Sequence, residues 1–302
     1  MDKLRAMRVF VHIVDAGSLT AASLRLGTSL ASVVRQLAAL ERALGVRLLN
    51  RSTRRIALTD EGRDYVERCR RLLADIDEAE RVLTDRERAP AGRIALTAPV
   101  MFGRLHVAPV VTGFLLAHEA MRAELVLLDR VVDLLEEGFD LAVRIGPLPE
   151  SSLVAIALGH TQRVLCASPD YLARHGTPTR PADLAAGAGT HRVVAFSGLH
   201  GGGEWVFRRG GDTERVSVGE RFATNHVHAA IDACAAGLGI VRVLAYQSAA
   251  AEADGRLVRL LPDWAPPPEP VNLVLPSVRL MSPRIRAFVD WAVPRLREVL
   301  TV

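Results

Sequence analysis

The sequence is poor in cysteine and lacks long apolar runs. Its three cysteines, Cys69, Cys166 and Cys234, are an odd number without close spacing, so they offer no disulfide framework and suit a reducing compartment. No apolar stretch follows the first charged residues, so we expect no secretory signal. The longest apolar run, VAPVVTGFLLA at 107–117, is too short to span a bilayer. These absences together predict a soluble, cytoplasmic protein without membrane contacts.

Motifs of the common enzyme classes are missing or incomplete. The segment HGGG at 200–203 is similar to the oxyanion loop of esterases, but no G-x-S-x-G nucleophile elbow accompanies it, so a flexible turn is the favoured interpretation. The segment GLGIV around Gly237 and Gly239 lacks the third glycine and the following acid of a dinucleotide fingerprint. His226 and His228 are two residues apart, so on one helix they would face different ways and could not share a metal ion. We predict no catalysis, no metal and no cofactor.

The charge of the chain is distributed unevenly. Apolar residues make up 49% of the 302 residues, which is typical of a globular chain with one large or two to three ordinary domains. Residues 1–72 hold 14 Lys and Arg against 7 Asp and Glu, whereas residues 73–302 hold 24 against 27. A basic head on a near-neutral body favours nucleic-acid binding, although arginine-rich helices that are merely soluble would give the same count.

Three helices are predicted in residues 1–45. Apolar residues recur at helical spacing in each segment, and a serine or a glycine stands at each boundary. Two helices joined by a tight glycine-containing turn, the second one capped and arginine-bearing, have the layout of a helix-turn-helix. The boundary residues are Gly17, Ser18, Gly27, Ser29 and Gly45.

The third helix, within TSLASVVRQLAALE at 28–41, has an unusual outward face. Val33, Leu37 and Leu40 form one apolar stripe, and the opposite side carries small or apolar residues and one arginine. Either another part of the protein covers this face, or it enters a major groove, where apolar side chains meet thymine methyls and arginine meets phosphate or guanine. The DNA interpretation is favoured by the basic segment downstream, and the predicted contacts are Ser29, Leu30, Ala31, Ser32, Val34 and Arg35.

A two-stranded wing is predicted after the third helix. In VRLLNRSTRRIALT the two apolar ends flank a polar, basic tip. A wing with this charge would lie along phosphates or in the minor groove. Its predicted DNA contacts are Arg51, Thr53, Arg54 and Arg55.

The segment AGSLTAASLRLGTSLASVVRQLAALERALGVRLLNRSTRRIALTDEGRDY resembles the winged helix-turn-helix of LysR-type transcriptional regulators. The A-A-x-x-L step, the R-Q-L-x-x-L-E-x-x-L-G-V-x-L-L-x-R stretch and the following T-x-x-G carry the resemblance. It implies an α/β protein with an N-terminal winged helix-turn-helix, a long linker helix and a two-lobed effector domain of the type-2 periplasmic-binding fold. It also implies double-stranded DNA with an inverted repeat, a small anionic or aromatic acid as effector, a homodimer or tetramer, and RNA polymerase as a further partner.

The sequence departs from this family at two positions of the third helix. The family commonly has Gln where Leu30 stands and Ser where Val34 stands. The loss of two hydrogen-bonding side chains should shift base preference toward thymine methyls without abolishing phosphate binding.

A long helix from about 60 to 88, capped by Thr59, is predicted to connect the head to the body. Apolar residues along it alternate in steps of four and three, as in the seam of a coiled coil, so we predict pairing with a second helix. The alternative is a helix packed on its own chain, for which a wider stripe is expected. Pro90 and Gly92 mark the boundary, which gives a DNA-binding domain at 1–59, a linker at 60–89 and an effector domain at 90–302. The seam residues are Tyr65, Cys69, Leu72, Ile76, Ala79 and Leu83.

The body alternates predicted strands with helices, which favours an α/β architecture with largely parallel sheets. GRIALTAP, DLAVRIG, RVLCASP and GIVRV are the clearest strands. By resemblance the body divides into lobe I, at about 91–163 and 268–302, and lobe II, at about 164–267. APPPEP at 265–270 has the composition of a stiff return crossing between them.

Three places could line a cleft between the lobes, because ligands bind near strand ends and helix N-termini in such folds. One follows the first body strand, one ends the strand in RIGPL, and one begins the helix in FATNHVHA. Each residue also has a plain structural interpretation as a helix cap or as a partner of a structural carboxylate. The predicted effector contacts are Thr97, Pro99, Val100, Arg144, Thr224, Asn225 and His226.

Overall fold

The computed structural model forms two compact units, Met1–Gly92 and Arg93–Val302, and each is described by itself. The structure describes residues 2–51, 56–84, 89–148, 153–187, 191–197, 203–264, 266, 268–276 and 281–300.

The first unit begins with the three predicted helices. They are bounded by the expected side chains: the Ser18 hydroxyl accepts a hydrogen bond from the N–H of Ala21, and the Ser29 hydroxyl accepts one from the N–H of Ser32. Gly17 ends the first helix at a φ of 65°, a conformation that glycine adopts without strain. The helices are α1 (Lys3–Ala16), α2 (Leu19–Arg25) and α3 (Leu30–Leu44).

The apolar stripe of α3 lies in the core of this unit, as its spacing predicts. Val33, Leu37 and Leu40 are at most 2% exposed. They pack with the buried side chains of α1 and α2 and of the chain that follows, among them Phe10, Ile13, Ala22, Leu48 and Leu49.

A two-stranded antiparallel hairpin, β1 (Leu49–Arg51) with β2 (Ile56–Leu58), stands where the wing was predicted. The Glu41 carboxylate ties it to α3 by accepting the N–H groups of Leu48, at 2.9 Å, and Leu49, at 3.4 Å. The predicted tip contacts Thr53, Arg54 and Arg55 lie outside the described residues, as does the side chain of Arg51.

The linker helix is α4 (Asp60–Thr84), and its start is fixed against the wing. The hydroxyl of Thr59 accepts the N–H of Gly62 at 2.9 Å and donates to the carbonyl of Arg47 at 2.7 Å. A Cβ atom at position 62 would lie 2.0 Å from the carbonyl oxygen of Leu48, so only glycine permits this approach.

The first half of α4 packs on its own unit, which corrects part of the predicted seam. Cys69 is fully buried and Tyr65 packs near Phe10, so these two residues do not face a second helix. Val66 and Leu73 widen the stripe into the core, as the alternative interpretation required. Arg8 and Arg70 pair with Asp77 and Asp15, respectively, across α1 and α4.

The second half of the seam is different. Leu72 is 49% exposed, and Ile76 is half-buried. The side chains of Ala79 and Leu83 lie outside the described residues.

The described part of the second unit holds two five-stranded sheets, which draw their strands from different parts of the chain. The first has the order β4-β3-β5-β14-β6, and the second has the order β11-β8-β12-β7-β13. A two-stranded hairpin of β9 and β10 lies beside the second sheet. The strands are β3 (Gly92–Ala98), β4 (Met121–Leu127), β5 (Leu141–Ile145), β6 (Val154–Thr161), β7 (Arg163–Ala167), β8 (Val193–Phe196), β9 (Glu204–Arg209), β10 (Asp212–Ser217), β11 (Glu220–Thr224), β12 (Ile240–Leu244), β13 (Val258–Leu260) and β14 (Glu269–Leu275).

The expectation of largely parallel sheets is wrong, because both sheets are mixed. In the first sheet β3 runs parallel to β5, but β14 is antiparallel to both β5 and β6. In the second sheet β12 is parallel to β8 and antiparallel to β7. The cause is the order of the strands. After the chain has formed the second sheet, β14 returns to the first sheet and inserts between β5 and β6, which come earlier in the sequence.

The helices of this unit cover the sheets, and two of them, α7 and α8, end at glycines, Gly138 and Gly176. They are α5 (Val100–Phe102), α6 (Ala108–Ala117), α7 (Leu134–Glu137), α8 (Pro169–His175), α9 (Val227–Ala235), α10 (Ala245–Ala253) and α11 (Pro283–Glu298). A π-helical turn (Gly103–Val107) joins α5 to α6, and Pro109 in the first turn of α6 lacks the N–H that would donate to the preceding turn.

The continuous helical run Val100–Ala117 is long and apolar enough, by length and composition, to cross a membrane. The apolar run 107–117, which by itself is too short for a bilayer, forms the second part of this longer helical run. Within the second unit, however, Phe102, Val107, Val111 and Phe114 of this run are buried in the core of the first sheet, as expected of a core helix in a globular domain.

Candidate functional site

The outward face of α3 is the first candidate surface. Leu30 is 44% exposed, Ala31 and Arg35 are exposed, and Val34 is half-buried. Within the described part of the chain, Arg35 has no hydrogen bond or ion pair. In the first unit, therefore, nothing described covers the face that the sequence assigned to DNA.

The two serines predicted to touch DNA also organise the start of α3. The Ser29 hydroxyl accepts the N–H of Ser32 at 3.2 Å, and the Ser32 hydroxyl accepts from Nε2 of Gln36 at 3.1 Å. Both hydroxyls therefore hold the first turn of the helix in place, with Ser29 exposed and Ser32 half-buried.

The second candidate site is a cavity of about 130 Å³ in the second unit, between the two sheets. It is small beside typical ligand pockets of roughly 300–1,000 Å³, so it suits a small ligand. Strand ends and the loop after β4 supply most of the lining. The lining residues are Pro99, Leu128, Asp129, Arg130, Val131, Arg144, Ile145, Gly146, Arg163, Phe196, Leu244, Tyr246, Gln247 and Glu269.

Two of the three arginines that line the cavity are neutralised by carboxylates. Arg130 forms a bidentate pair with Glu137, with distances of 2.7 and 2.6 Å. Nε of Arg163 lies 2.8 Å from a carboxylate oxygen of Glu269, and both side chains are less than 20% exposed. Because Arg163 begins β7 and Glu269 begins β14, this pair ties together the two segments where the chain passes between the sheets.

Arg144 is the third arginine of the cavity, and it forms no ion pair with a carboxylate among the described residues. Its Nη2 atom is buried and has no hydrogen bond among the described residues. Burial lowers the pKa of the guanidinium, and the Glu137 carboxylate, which already holds Arg130, opposes that shift. A buried donor that carries charge and lacks an acceptor is costly, so this position favours an anionic ligand group.

Asp129 occupies the helix start that was predicted to hold a ligand anion. Its Oδ1 atom accepts the N–H of Val100 at 2.9 Å, so the protein's own carboxylate caps the helical run. Pro99 lines the cavity beside it, whereas the N–H of Val100 already donates to Asp129.

Tyr246 forms an apolar wall of the cavity. Its ring lies 5.4 Å from that of Phe102 and 5.7 Å from that of His106, both edge-on. Burial raises the pKa of its phenol, so the side chain is neutral and acts as packing surface and as a hydrogen-bonding group. Gln247, next to it, approaches the phenol oxygen at 3.4 Å.

The other predicted effector contacts lie away from this cavity. Thr97 is fully buried in β3, and its hydroxyl has no partner among the described residues. Thr224 accepts the N–H of His226 at 3.1 Å and so turns the chain into α9, and neither of them nor Asn225 lines the cavity.

The expectation that His226 and His228 face different ways is wrong. Their ring centroids are 5.5 Å apart, because His226 lies before the first turn of α9 and is not on its helical surface. Nε2 of His228 lies 3.4 Å from the Arg104 guanidinium. Among the described residues no group of three potential ligands could hold a metal ion.

Sequence reasoning missed five charged or aromatic residues of the cavity: Asp129, Arg130, Arg163, Tyr246 and Glu269. Asp129 and Arg130 follow β4, and Tyr246 follows β12, so a search of every strand end would have found these three. Nothing in the sequence pairs Arg163 with Glu269 across 106 positions.

The head and the two-sheet body together define a DNA-binding regulator with a ligand-binding domain. The model for the "bacterial regulatory helix-turn-helix protein, lysR family" matches residues 4–63, and the model for the "LysR substrate binding domain" matches residues 87–297. The chain therefore belongs to the LysR family of transcriptional regulators, which is a family of regulators and not of enzymes.

Relatives match along nearly the whole chain. An HTH-type transcriptional repressor of Pseudomonas aeruginosa is 37% identical over 299 residues, 99% of this chain and 93% of that protein. The HTH-type transcriptional activator AaeR of Escherichia coli is 32% identical over 90% of this chain and 86% of its own. The full-length Vibrio cholerae virulence activator AphB is 29% identical, with a TM-score of 0.62 over 97% of this chain and 99% of that one. CrgA of Neisseria meningitidis is also 29% identical, with a TM-score of 0.61 over 97% and 98%.

Proposed function

We propose that the protein regulates transcription by binding an inverted repeat through two copies of its N-terminal domain. The observation that carries this proposal is the exposed, small and apolar face of α3, which includes Arg35, a residue without a partner among the described residues. Arg35 supplies a phosphate or guanine contact, and Leu30, Ala31 and Val34 meet thymine methyls. The wing, with Arg51, Thr53, Arg54 and Arg55, adds phosphate or minor-groove contacts.

The test is a gel shift with the DNA upstream of the protein's own gene or of its divergent neighbour. Saturable binding that resists unrelated competitor DNA at physiological salt is expected. Binding that ignores sequence under those conditions would contradict the proposal, because phosphate contacts alone give non-specific affinity.

Leu30 and Val34 set base preference in this proposal. Replacing Leu30 by Gln restores a side chain that can form hydrogen bonds with adenine. We expect Leu30→Gln to change which half-site bases are tolerated and to leave non-specific binding nearly unchanged. Selection from a randomised operator pool measures this directly. If the unmodified protein and Leu30→Gln had the same base preference, Leu30 would not contact bases in the major groove.

We propose that a small acid binds the cavity between the lobes and modulates DNA binding, with its anionic group on Arg144. The Nη2 atom of Arg144, which is buried and has no hydrogen-bond partner among the described residues, supports this assignment, and Phe196 and Tyr246 offer apolar surface for the rest of the ligand. Pro99 and Arg144 are thus the predicted contacts that we retain. Thr97, Val100 and the segment 224–226 act through the local structure instead.

The remaining assignments follow from this function. We place the domain boundaries at 1–59, 60–89 and 90–302, with lobe I at about 91–163 and 268–302 and lobe II at about 164–267. The strands of the two sheets fall into these ranges, which supports the division. We propose a homodimer or tetramer in the cytoplasm, without catalytic activity, in which RNA polymerase is a further partner.

A further inference from the structure

Among the described residues, one positive and one negative group that line the cavity have no ion-pair partner. Arg130 and Arg163 are neutralised by Glu137 and Glu269. Arg144 has no acceptor for Nη2 among the described residues. Asp129, on the same cavity, has no cationic side-chain partner in the described part of the chain and holds only the N–H of Val100.

These two groups do not neutralise each other. No ion pair joins Arg144 to Asp129, although both line a cavity of only about 130 Å³. Arg144 stands in β5, where it pairs with Asn272 of β14, whereas Asp129 stands in the loop after β4 and is held by the start of the helical run at Val100. The two charged groups thus come from different elements that line the same cavity.

From this arrangement we propose that the effector is a small zwitterion of the amino-acid type, with its carboxylate on Arg144 and its ammonium group on Asp129. The inference rests on the effector site proposed above. Such a ligand supplies an acceptor to the buried guanidinium and a donor to the carboxylate, so each unbalanced group gains a charge-assisted hydrogen bond.

A ligand with anionic groups alone fits the cavity less well. The helix start that could have held a second anion is filled by Asp129, whose charge repels a further carboxylate. A cationic ligand without an acid leaves the Nη2 atom of Arg144 without an acceptor and adds like charge beside it. The small volume excludes large side chains, so the ligand is expected to be compact.

The full-length protein can be tested by thermal shift and calorimetry with matched probes. The probes are the compact L-α-amino acids. Each is compared with two compounds that have the same side chain: the 2-hydroxy acid, which lacks the ammonium group, and the primary amine, which lacks the carboxylate. We expect at least one amino acid to bind about tenfold or more tightly than its 2-hydroxy acid, because the latter lacks a charged donor for Asp129. The primary amine should not bind.

Two variants test the contacts. Asp129→Asn keeps an oxygen that accepts the N–H of Val100 but removes the charge, so it should abolish the preference for the amino acid over the 2-hydroxy acid. Asp133→Asn is the matched control, because Asp133 also caps a helix, through the N–H groups of Leu135 and Glu136, and does not line the cavity. It should keep the preference.

The outcomes separate this inference from the site on which it rests. If 2-hydroxy acids bind as tightly as amino acids, or Asp129→Asn keeps the preference, the zwitterion is wrong. If the zwitterion is wrong but Arg144→Gln abolishes binding of the acids, the proposed effector site is still supported. If every probe that binds does so equally well to Arg144→Gln, the site itself is wrong. Absence of any amino-acid binding at millimolar concentration also overturns the zwitterion.

Discussion

At the scale of single residues, Thr97 shows how a buried hydroxyl without a hydrogen-bond partner affects the stability of the protein. It is fully buried, and its oxygen has no hydrogen bond among the described residues. We expect Thr97→Val, which replaces the hydroxyl by a methyl group of similar size, to stabilise the protein by about 1 kcal/mol, because an unsatisfied buried group is removed. Chemical denaturation of the full chain measures the difference.

Ser168 provides the contrasting case in the same unit. It is 2% exposed, and its hydroxyl caps α8 by accepting the N–H of Tyr171. Ser168→Ala should therefore destabilise by about 0.5–2 kcal/mol. Destabilisation of similar size by Thr97→Val would show that the Thr97 hydroxyl has a partner after all.

Arg35 is the residue on which the DNA interface can be tested most directly. It is exposed on α3 and has no partner in the described part of the first unit, so its loss disturbs no internal contact. Arg35→Ala should weaken DNA binding and, if the contact is to a phosphate, flatten the logarithmic dependence of affinity on salt by about one unit. Arg122→Ala, at an exposed position of β4 in the other unit, is the control and should change neither quantity.

At the scale of helices and strands, local signals decided which elements could be predicted. Helix ends in the head were predictable because serine caps and glycine stops act within a few residues of the chain. The direction of β14 was not predictable, because it depends on the two strands between which the returning chain inserts, and those strands are distant in the sequence. The carboxylate that caps the helical run after β3 could not be predicted for a similar reason: Asp129 is 29 positions away from Val100.

Two adjacent leucines of α4 distinguish its packing in the core of the head from its predicted pairing with a second helix. Leu73 is 8% exposed and belongs to the core of the head, whereas Leu72 is 49% exposed. Leu73→Ala should destabilise the head by about 2–5 kcal/mol, because it leaves a cavity. Leu72→Ala should leave stability within about 0.5 kcal/mol and weaken self-association, if the remaining seam pairs with a second helix.

Thermal unfolding and sedimentation measure these two effects on the same samples. The adjacent positions make the comparison well matched, since helix propensity changes equally in both variants. Unchanged sedimentation of Leu72→Ala at concentrations near the dissociation constant would place the self-association surface elsewhere. A thermally silent Leu73→Ala would contradict the packing described for α4.

At the scale of the whole molecule, a ligand at the proposed site would act on DNA only through a difference in its affinity for two arrangements of the proposed lobes. The cavity is lined from both sheets, and the half-buried Arg163–Glu269 pair lies where the chain passes between them, so a ligand at the proposed site would contact both sheets. A ligand that bound both arrangements equally would have no effect on DNA, however tightly it bound.

This linkage gives a quantitative expectation. If saturating effector changes the affinity for operator DNA by some factor, saturating operator must change the affinity for effector by the same factor, because the two binding equilibria share one cycle. Calorimetry of effector binding with and without operator, beside gel shifts with and without effector, supplies both numbers. Arg144→Gln should lose the response to effector while its affinity for operator in the absence of effector stays within about twofold of the unmodified protein. If the operator affinity of Arg144→Gln falls together with the response, Arg144 supports the assembly that binds DNA and does not act through ligand alone.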